Sequence, residues 1–207
     1  MTELTVLTEP KSSSTLLPVI NSGGSQDAET CRACGGECCQ HFPGVTLPSD
    51  LGPAETLADE IARRLCSGLW ILDVGFCDPR PGYMKRRAKR GKADIEARAV
   101  YWIRPAQITS AGRVIDPAGR SAPCALWEVD RGCRLEFSER PHQCRTLVPN
   151  PADPWKGCRP ERMHSMQYYA LAWLPFQDEV FKGLAATEFG KGGGQLLIDV
   201  LKFVAEL

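Results

Sequence analysis

Four thiols fall within nine residues in the run Cys31-Arg-Ala-Cys34-Gly-Gly-Glu-Cys38-Cys39. Two residues between Cys31 and Cys34 let both sulfurs turn toward one centre, as in a zinc knuckle or an iron–sulfur loop. The glycines let the chain curl tightly and bring backbone N–H groups near the sulfurs, where they temper thiolate charge. Cys38 and Cys39 are adjacent, and neighbouring side chains diverge. One of the two is therefore expected to ligate while the other packs as a buried thiol, bridges to a second metal or ligates it.

The chain carries ten cysteines, at 31, 34, 38, 39, 66, 77, 124, 133, 144 and 158. In 207 residues that density is below the roughly 8–10% typical of short disulfide scaffolds. The start holds two acids and no base before Lys11, and the apolar patch Leu16–Ile20 is short and broken by Pro18. This lacks the pattern of a secretory signal, so a cytoplasmic location with reduced thiols is expected. Clustered cysteines in that setting read as metal ligands, with disulfide or redox pairing the competing reading. No apolar run approaches the roughly 18–20 residues that span a bilayer, so no membrane partner is expected. Lys+Arg and Asp+Glu both number 25, so net charge points to no nucleic-acid partner either.

The downstream half of the constellation is Cys124-Ala-Leu-Trp-Glu-Val-Asp-Arg-Gly-Cys133, then Arg140-Pro-His-Gln-Cys144-Arg145, then Cys158. Cys31, Cys34, Cys38, Cys39, Cys124, Cys133, Cys144 and Cys158 suffice for two four-coordinate zinc ions, or for one iron–sulfur cluster with some left over. Cys66, at the end of a predicted helix, is expected to be a buried structural thiol, whereas Cys77 in a turn-rich segment is open between the two roles. His41 and His142 are expected to be hydrogen-bonding neighbours rather than ligands, and His164 is weaker still. Arg140 and Arg145 are placed to offset the negative charge of a tetrathiolate site.

These residues resemble the CxxCxxCC family of putative zinc- or iron-chelating proteins, whose members are often described as containing an iron–sulfur cluster. The likeness rests on Cys31 to Cys39, Cys124-Ala-Leu-Trp, Gly132-Cys133, Arg140-Pro141 and Cys144-Arg145 followed by Pro149. It covers roughly residues 29 to 150, with a long insertion between the halves. The chain departs from the family pattern in having three residues between Cys34 and Cys38, and one extra between Cys133 and Cys144. By position the resemblance assigns Cys31, Cys34, Cys38, Cys39, Cys124, Cys133 and Cys144 as family cysteines; Cys158 is added by proximity. It implies no particular reaction.

Elsewhere, residues 1–28 are rich in Ser, Thr, Gly and Pro and read as a disordered leader, with a single cysteine-rich metal-binding domain over 29–207. Leu57, Ile61 and Leu65 recur every four positions after Pro53 and predict an amphipathic helix. Leu69–Val74 and Tyr101–Arg104 suit strands. Ala125–Val129 and Arg134–Phe137 flank Asp130-Arg-Gly132, a hairpin with Cys124 and Cys133 at its strand starts. Met163 to Trp173, Val180 to Leu184 and Leu196 to Val204 repeat apolar residues at helical spacing. The expected fold class is α+β: a small irregular domain with short strands and flanking helices, stapled by cysteine–metal bonds because the loops over 29–50 and 138–160 hold few apolar residues.

Lys85-Arg-Arg-Ala-Lys-Arg-Gly-Lys92 places six basic residues in eight. A solvated segment balanced by Asp94 and Glu96 is the favoured reading over a phosphate-contacting patch. No phosphate loop, G-x-S-x-G elbow or HExxH motif occurs, and no catalytic residue is assigned. The expected function is metal binding through clustered cysteines. An iron–sulfur or metal-dependent enzyme of redox or group-transfer chemistry, and a zinc-scaffolded nucleic-acid module using Lys85–Lys92, are the alternatives.

Overall fold

A computed structural model describes residues 35–41, 43–80, 97–108, 114–115, 122–129, 131–149, 158–160, 166–194, 198–199 and 201–202. The leader, the Lys85–Lys92 run, Cys31, Cys34 and His164 lie outside them, as do the side chains of Val114, Ile115, Val148, Pro149, residues 158–160 and Gly193.

The chain combines helices with small antiparallel ladders, an α+β arrangement. Its long ladder pairs β1 (Trp70–Cys77) with β2 (Arg98–Pro105), in a register running from Trp70 opposite Pro105 to Cys77 opposite Arg98. Both strands outrun the predicted segments Leu69–Val74 and Tyr101–Arg104. From Ala99 to Pro105 β2 is buried, which is why it reads as an apolar run without alternation. On β1, Val74 and Phe76 are exposed. Gly75 is required where the Trp102 ring lies across β1, since any Cβ there would collide with the indole.

Among the described residues no strand pairs with the outward edge of β2. Instead the Gln177 carboxamide accepts from Tyr101 N at 2.9 Å and donates to Tyr101 O at 3.0 Å, imitating a ladder partner. Two residues along, the Thr46 hydroxyl donates to Ile103 O. Polar side chains thus satisfy backbone groups that would otherwise be unpaired at a sheet edge.

Helices cover this ladder. The predicted amphipathic helix is α2 (Leu57–Cys66), preceded by a 3-10 turn at Ala54–Thr56. It buries Leu57 and Ile61 and lays Arg64 over the Trp70 ring at 4.3 Å, with Glu60 holding the Arg64 guanidinium. Tyr169, Ala170 and Trp173 are the buried residues of the later helix Met166–Trp173, which ends in a 3-10 turn at Pro175. The next helix, Gln177–Ala186, buries Val180, Phe181 and Leu184. Ile198–Asp199 and Leu201–Lys202 are helical as well. No helix among the described residues is long and apolar enough to cross a membrane.

The Gln177–Ala186 helix crosses α2 at Gly183. A Cβ there would lie 2.7 Å from Ala58 O and from Ile61 Cγ2, so the two backbones approach only because the side chain is absent. Gly183→Val should therefore destabilise the protein by about 1–3 kcal/mol, read as a lower denaturant midpoint at unchanged m.

Candidate metal centre

Three segments distant in sequence bring five thiols together. The first is the chain from Gly35 through α1 (Glu37–His41), which carries Cys38 and Cys39. The second is the hairpin of β5 (Trp127–Glu128) and β6 (Gly132–Cys133), flanked by Cys124 and ending in Cys133. The third is a one-turn helix, α3 (His142–Arg145), bearing Cys144.

Hydrogen bonds between backbones and small residues at the contacts hold the segments in place. Cys124 N donates to Cys39 O at 2.7 Å, and Trp127 Nε1 donates to Gly35 O at 2.8 Å. Gly36 adopts φ +74° beneath the Trp127 ring, where a Cβ would lie 3.0 Å from the indole nitrogen. Cys124 also bridges Gln107 of β3 (Gln107–Ile108), and Ala125 N donates to Ala106 O, so the hairpin grows from the end of β2. Val45 N donates to Gln143 Oε1 at 2.9 Å and Gln143 N donates back to Val45 O at 3.2 Å. Cys144 Sγ fills the space where Gly44 lacks a side chain.

Asp50 fixes α3 from beneath. Its side chain is 1% exposed and accepts from His142 N at 2.6 Å and Leu47 N at 2.8 Å, while Arg145 pairs with its other oxygen. Burial pushes the Asp50 carboxyl up, and the Leu47 N–H, Arg145 and the His142 N–H pull it down.

The thiols interact with one another. Cys38, Cys124, Cys133 and Cys144 form a complete tetrad, in which every pair is electrostatically linked. Cys39 is acted on by Cys38, Cys144 and Cys124. Three of the tetrad accept backbone N–H bonds at sulfur, Cys124 from Leu126, Cys133 from Leu135 and Cys144 from Gly44. Such donors stabilise thiolate over thiol. The sequence placed this role on the glycine loop; among the described donors only Gly44 is a glycine.

Cys38 and Cys39 do not diverge. Their sulfurs lie 3.9 Å apart in a hydrogen bond, because α1 sets consecutive side chains about 100° apart rather than on opposite sides of an extended strand. The donor chemistry, soft thiols with nearby backbone N–H groups, is of the kind a thiophilic ion takes. Among the described residues, however, no three or more Cys, His, Asp or Glu side chains stand in metal-holding geometry.

Without an ion the pocket favours neutral thiols. Burial pushes Cys124 up to about 12, with Cys133 and Cys38 adding to it and the Leu126 N–H and Arg104 opposing. Burial also raises Cys133 and, well above its usual range, Cys144. The Cys39 thiol is raised first by its hydrogen bond with Cys38, then by burial and by the charges of Cys38, Cys144 and Cys124.

Several expected roles change. Cys66 is exposed, not buried, because as the last residue of α2 it points away from the Leu57–Ile61 face. Cys77 is a core thiol at the end of β1, raised by burial and by Asp78 and lowered by Arg98, with no other cysteine acting on it. Cys124 precedes its strand and Cys133 ends the other; the predicted strand Arg134–Phe137 gives way to a turn and a 3-10 helix at Phe137–Glu139. Arg140 is buried, donates to Leu135 O at 3.1 Å and lowers Cys133. Arg145 engages Asp50 instead. His41 turns to Glu37 at 3.0 Å, and the His142 ring lies 6.3 Å from that of Tyr168. Cys158 stands on β8 (Cys158–Pro160), opposite Pro149 of β7 (Leu147–Pro149).

Sequence reasoning missed Arg104 and Asp50. Arg104 is 1% exposed, donates to Asp73 at 2.5 Å and to Pro105 O at 3.0 Å, and lowers the Cys124 thiol. A lone arginine directly after the apolar run Tyr101–Ile103 was the available signal, since a guanidinium is buried only when paired.

Comparison with protein-family models, curated proteins and solved structures gives no match to this chain.

Two outcomes follow. Asp50→Ala should cost about 2–3 kcal/mol of stability, the scale of charged hydrogen bonds lost from a buried carboxylate, and should loosen α3 in hydrogen exchange. The metal-free protein should weaken in base. Buried thiols with folded pKa values above the unfolded value of about 8.5 give stability that is full below that pH and lost as pH rises through the folded values. Denaturant midpoints measured with chelator from pH 7 to 10 should therefore fall.

Proposed function

We propose that this chain is a metal-binding protein whose centre is a tetrathiolate of Cys38, Cys124, Cys133 and Cys144, holding zinc or an iron–sulfur cluster. The observation that carries this reading is the convergence of cysteines from three separate segments: Cys124 N bonds to Cys39 O at 2.7 Å, Cys133 ends the hairpin beside Cys124, and Cys144 Sγ is seated against Gly44 of the first segment. The N–H···S bonds at Cys124, Cys133 and Cys144, and the cations Arg140 and Arg104 beside Cys133 and Cys124, support it, because each favours the thiolate a metal needs. The cysteine and arginine pattern shared with the CxxCxxCC family points the same way. Cys31, Cys34 and Cys158 remain candidate ligands from the sequence, for a second ion or for the cluster.

When bound, a zinc ion would supply a cross-link between segments, and an iron–sulfur cluster would supply electron transfer. The chain's own contribution is to gather the thiols, give three of them backbone donors, and shield them from water. Because a metal displaces thiol protons, affinity should weaken as pH falls, opposite in sign to the metal-free protein's response.

The test is metal and acid-labile sulfide analysis on protein purified without oxygen, with a visible spectrum of the same sample. Cys124→Ser and Cys144→Ser should lose the metal, whereas Cys66→Ser and Cys77→Ala should keep it. Iron with matching sulfide and a brown colour identifies a cluster; colourless protein with zinc identifies a zinc centre. Wild-type protein with neither metal sinks the reading.

A further inference from the structure

Cys39 is the described thiol of the cluster that the tetrathiolate does not use. Its sulfur lies 3.9 Å from that of Cys38 and is joined to it by a hydrogen bond. Both side chains are only partly buried, whereas Cys124 is buried, so the pair is open to a small reagent. Two thiols held at contact distance also react as one unit, at an effective concentration far above that of a free thiol.

A bond between the two sulfurs closes an eight-membered ring through the peptide that links the residues. Consecutive Cα atoms lie about 3.8 Å apart across a trans peptide, short of the roughly 4.4–6.8 Å across an ordinary disulfide. Such a ring is strained and readily reduced, which suits a reversible bond and not a staple. In a helix consecutive side chains do not face each other, so ψ of Cys38 and φ of Cys39 leave helical values when the ring closes. That rotation swings the Cys39 carbonyl, which accepts from Cys124 N at 2.7 Å and so ties α1 to the hairpin. It also turns Cys39 N, which donates to Gly36 O at 2.8 Å. With five residues, α1 has no further turns to absorb the change.

We propose that Cys38 and Cys39 form a reversible dithiol–disulfide couple, which reacts with low-molecular-weight disulfides and on oxidation releases α1 from the hairpin. One sulfur of the pair attacks a sulfur of the reagent. A mixed disulfide forms, the reagent's S–S bond breaks and its first half leaves as a thiol. The second sulfur of the pair then attacks the first. The Cys38–Cys39 bond forms, the mixed disulfide breaks and the other half of the reagent leaves as a thiol. Two electrons pass from the chain to the reagent, and the two protons of the cysteines end on the two thiols released. The couple belongs to the metal-free chain and does not rest on the tetrathiolate reading.

The experiment treats the reduced full chain, kept with chelator in oxygen-free buffer, with oxidised glutathione and then alkylates the remaining thiols. Cleavage after glutamate yields the peptide Cys38–Glu55, which holds no other cysteine. This peptide should be lighter by two hydrogens and unalkylated, and should become dialkylated once the chain is reduced. Hydrogen exchange at Cys124 N should speed up in the oxidised chain and slow again on reduction. Cys39→Ser should stop at a mixed disulfide on Cys38, heavier by one glutathionyl group, and Cys66→Ser should match the wild type at this peptide. Wild-type Cys38–Glu55 recovered fully alkylated overturns the inference, as does the same peptide cross-linked to another cysteine. A closed ring with unchanged exchange at Cys124 N overturns the release of α1. Because the assay contains no metal, its outcome and that of the metal analysis are separate.

Discussion

The cysteine centre hangs from one strand. β2 is buried from Ala99 to Pro105, and its outward edge carries polar partners where another strand would normally pair. Thr46 is the link between that edge and the cysteine-bearing segment. Its hydroxyl engages Ile103 O, and its own carbonyl accepts from the Trp173 indole at 2.8 Å. Thr46 and Trp173 are both fully buried, so the link sits in low dielectric where hydrogen bonds are costly to break. Two residues before Thr46 lies Gly44 against Cys144, and four after it lies Asp50 beneath α3. At the same end of β2, Ala106 O accepts from Ala125 N and so ties the strand to the hairpin of Cys124 and Cys133. The hydrophobic core thus sets the separation of thiols that share no covalent neighbour.

Two opposing demands meet in that pocket. Burial disfavours thiolate, while backbone donors and two buried guanidinium groups favour it. In the protein alone burial wins and the thiols stay protonated, yet groups that would favour a thiolate are already in place. An ion that supplies the missing positive charge shifts the balance. The same donors would be of little use to a disulfide, which carries no charge to stabilise.

Helices α2 and Gln177–Ala186 were legible because their apolar residues repeat at helical spacing over several turns, and β2 was legible as a continuous apolar run. The site was legible as a set of residue types but not as a geometry. Cys66 misled because adjacency to Leu65 in sequence means a turn of about 100° on a helix, which moves it off the buried face. Cys38 and Cys39 misled in the opposite direction, since divergence holds for a strand and not for α1. Thr46, Asp50 and Gln177 were invisible for another reason. Their partners lie 57, 92 and 76 residues away, so no local pattern announces them. Arg104 alone left a trace, as a charge directly after an apolar run.

The distance in sequence between α1 and α3 has a consequence for how the protein is made. At the ribosome, residues emerge in order at about 5–20 per second, so several seconds separate the synthesis of Cys38 from that of Cys144. Trp173, which anchors Thr46, comes later still. During that interval the early thiols have neither the hairpin nor α3 to enclose them, and contacts between such remote segments form slowly. The nascent chain therefore presents bare cysteines to its surroundings before it can present a finished centre. Enclosure of the Cys38 and Cys39 thiols therefore belongs after chain release rather than during synthesis.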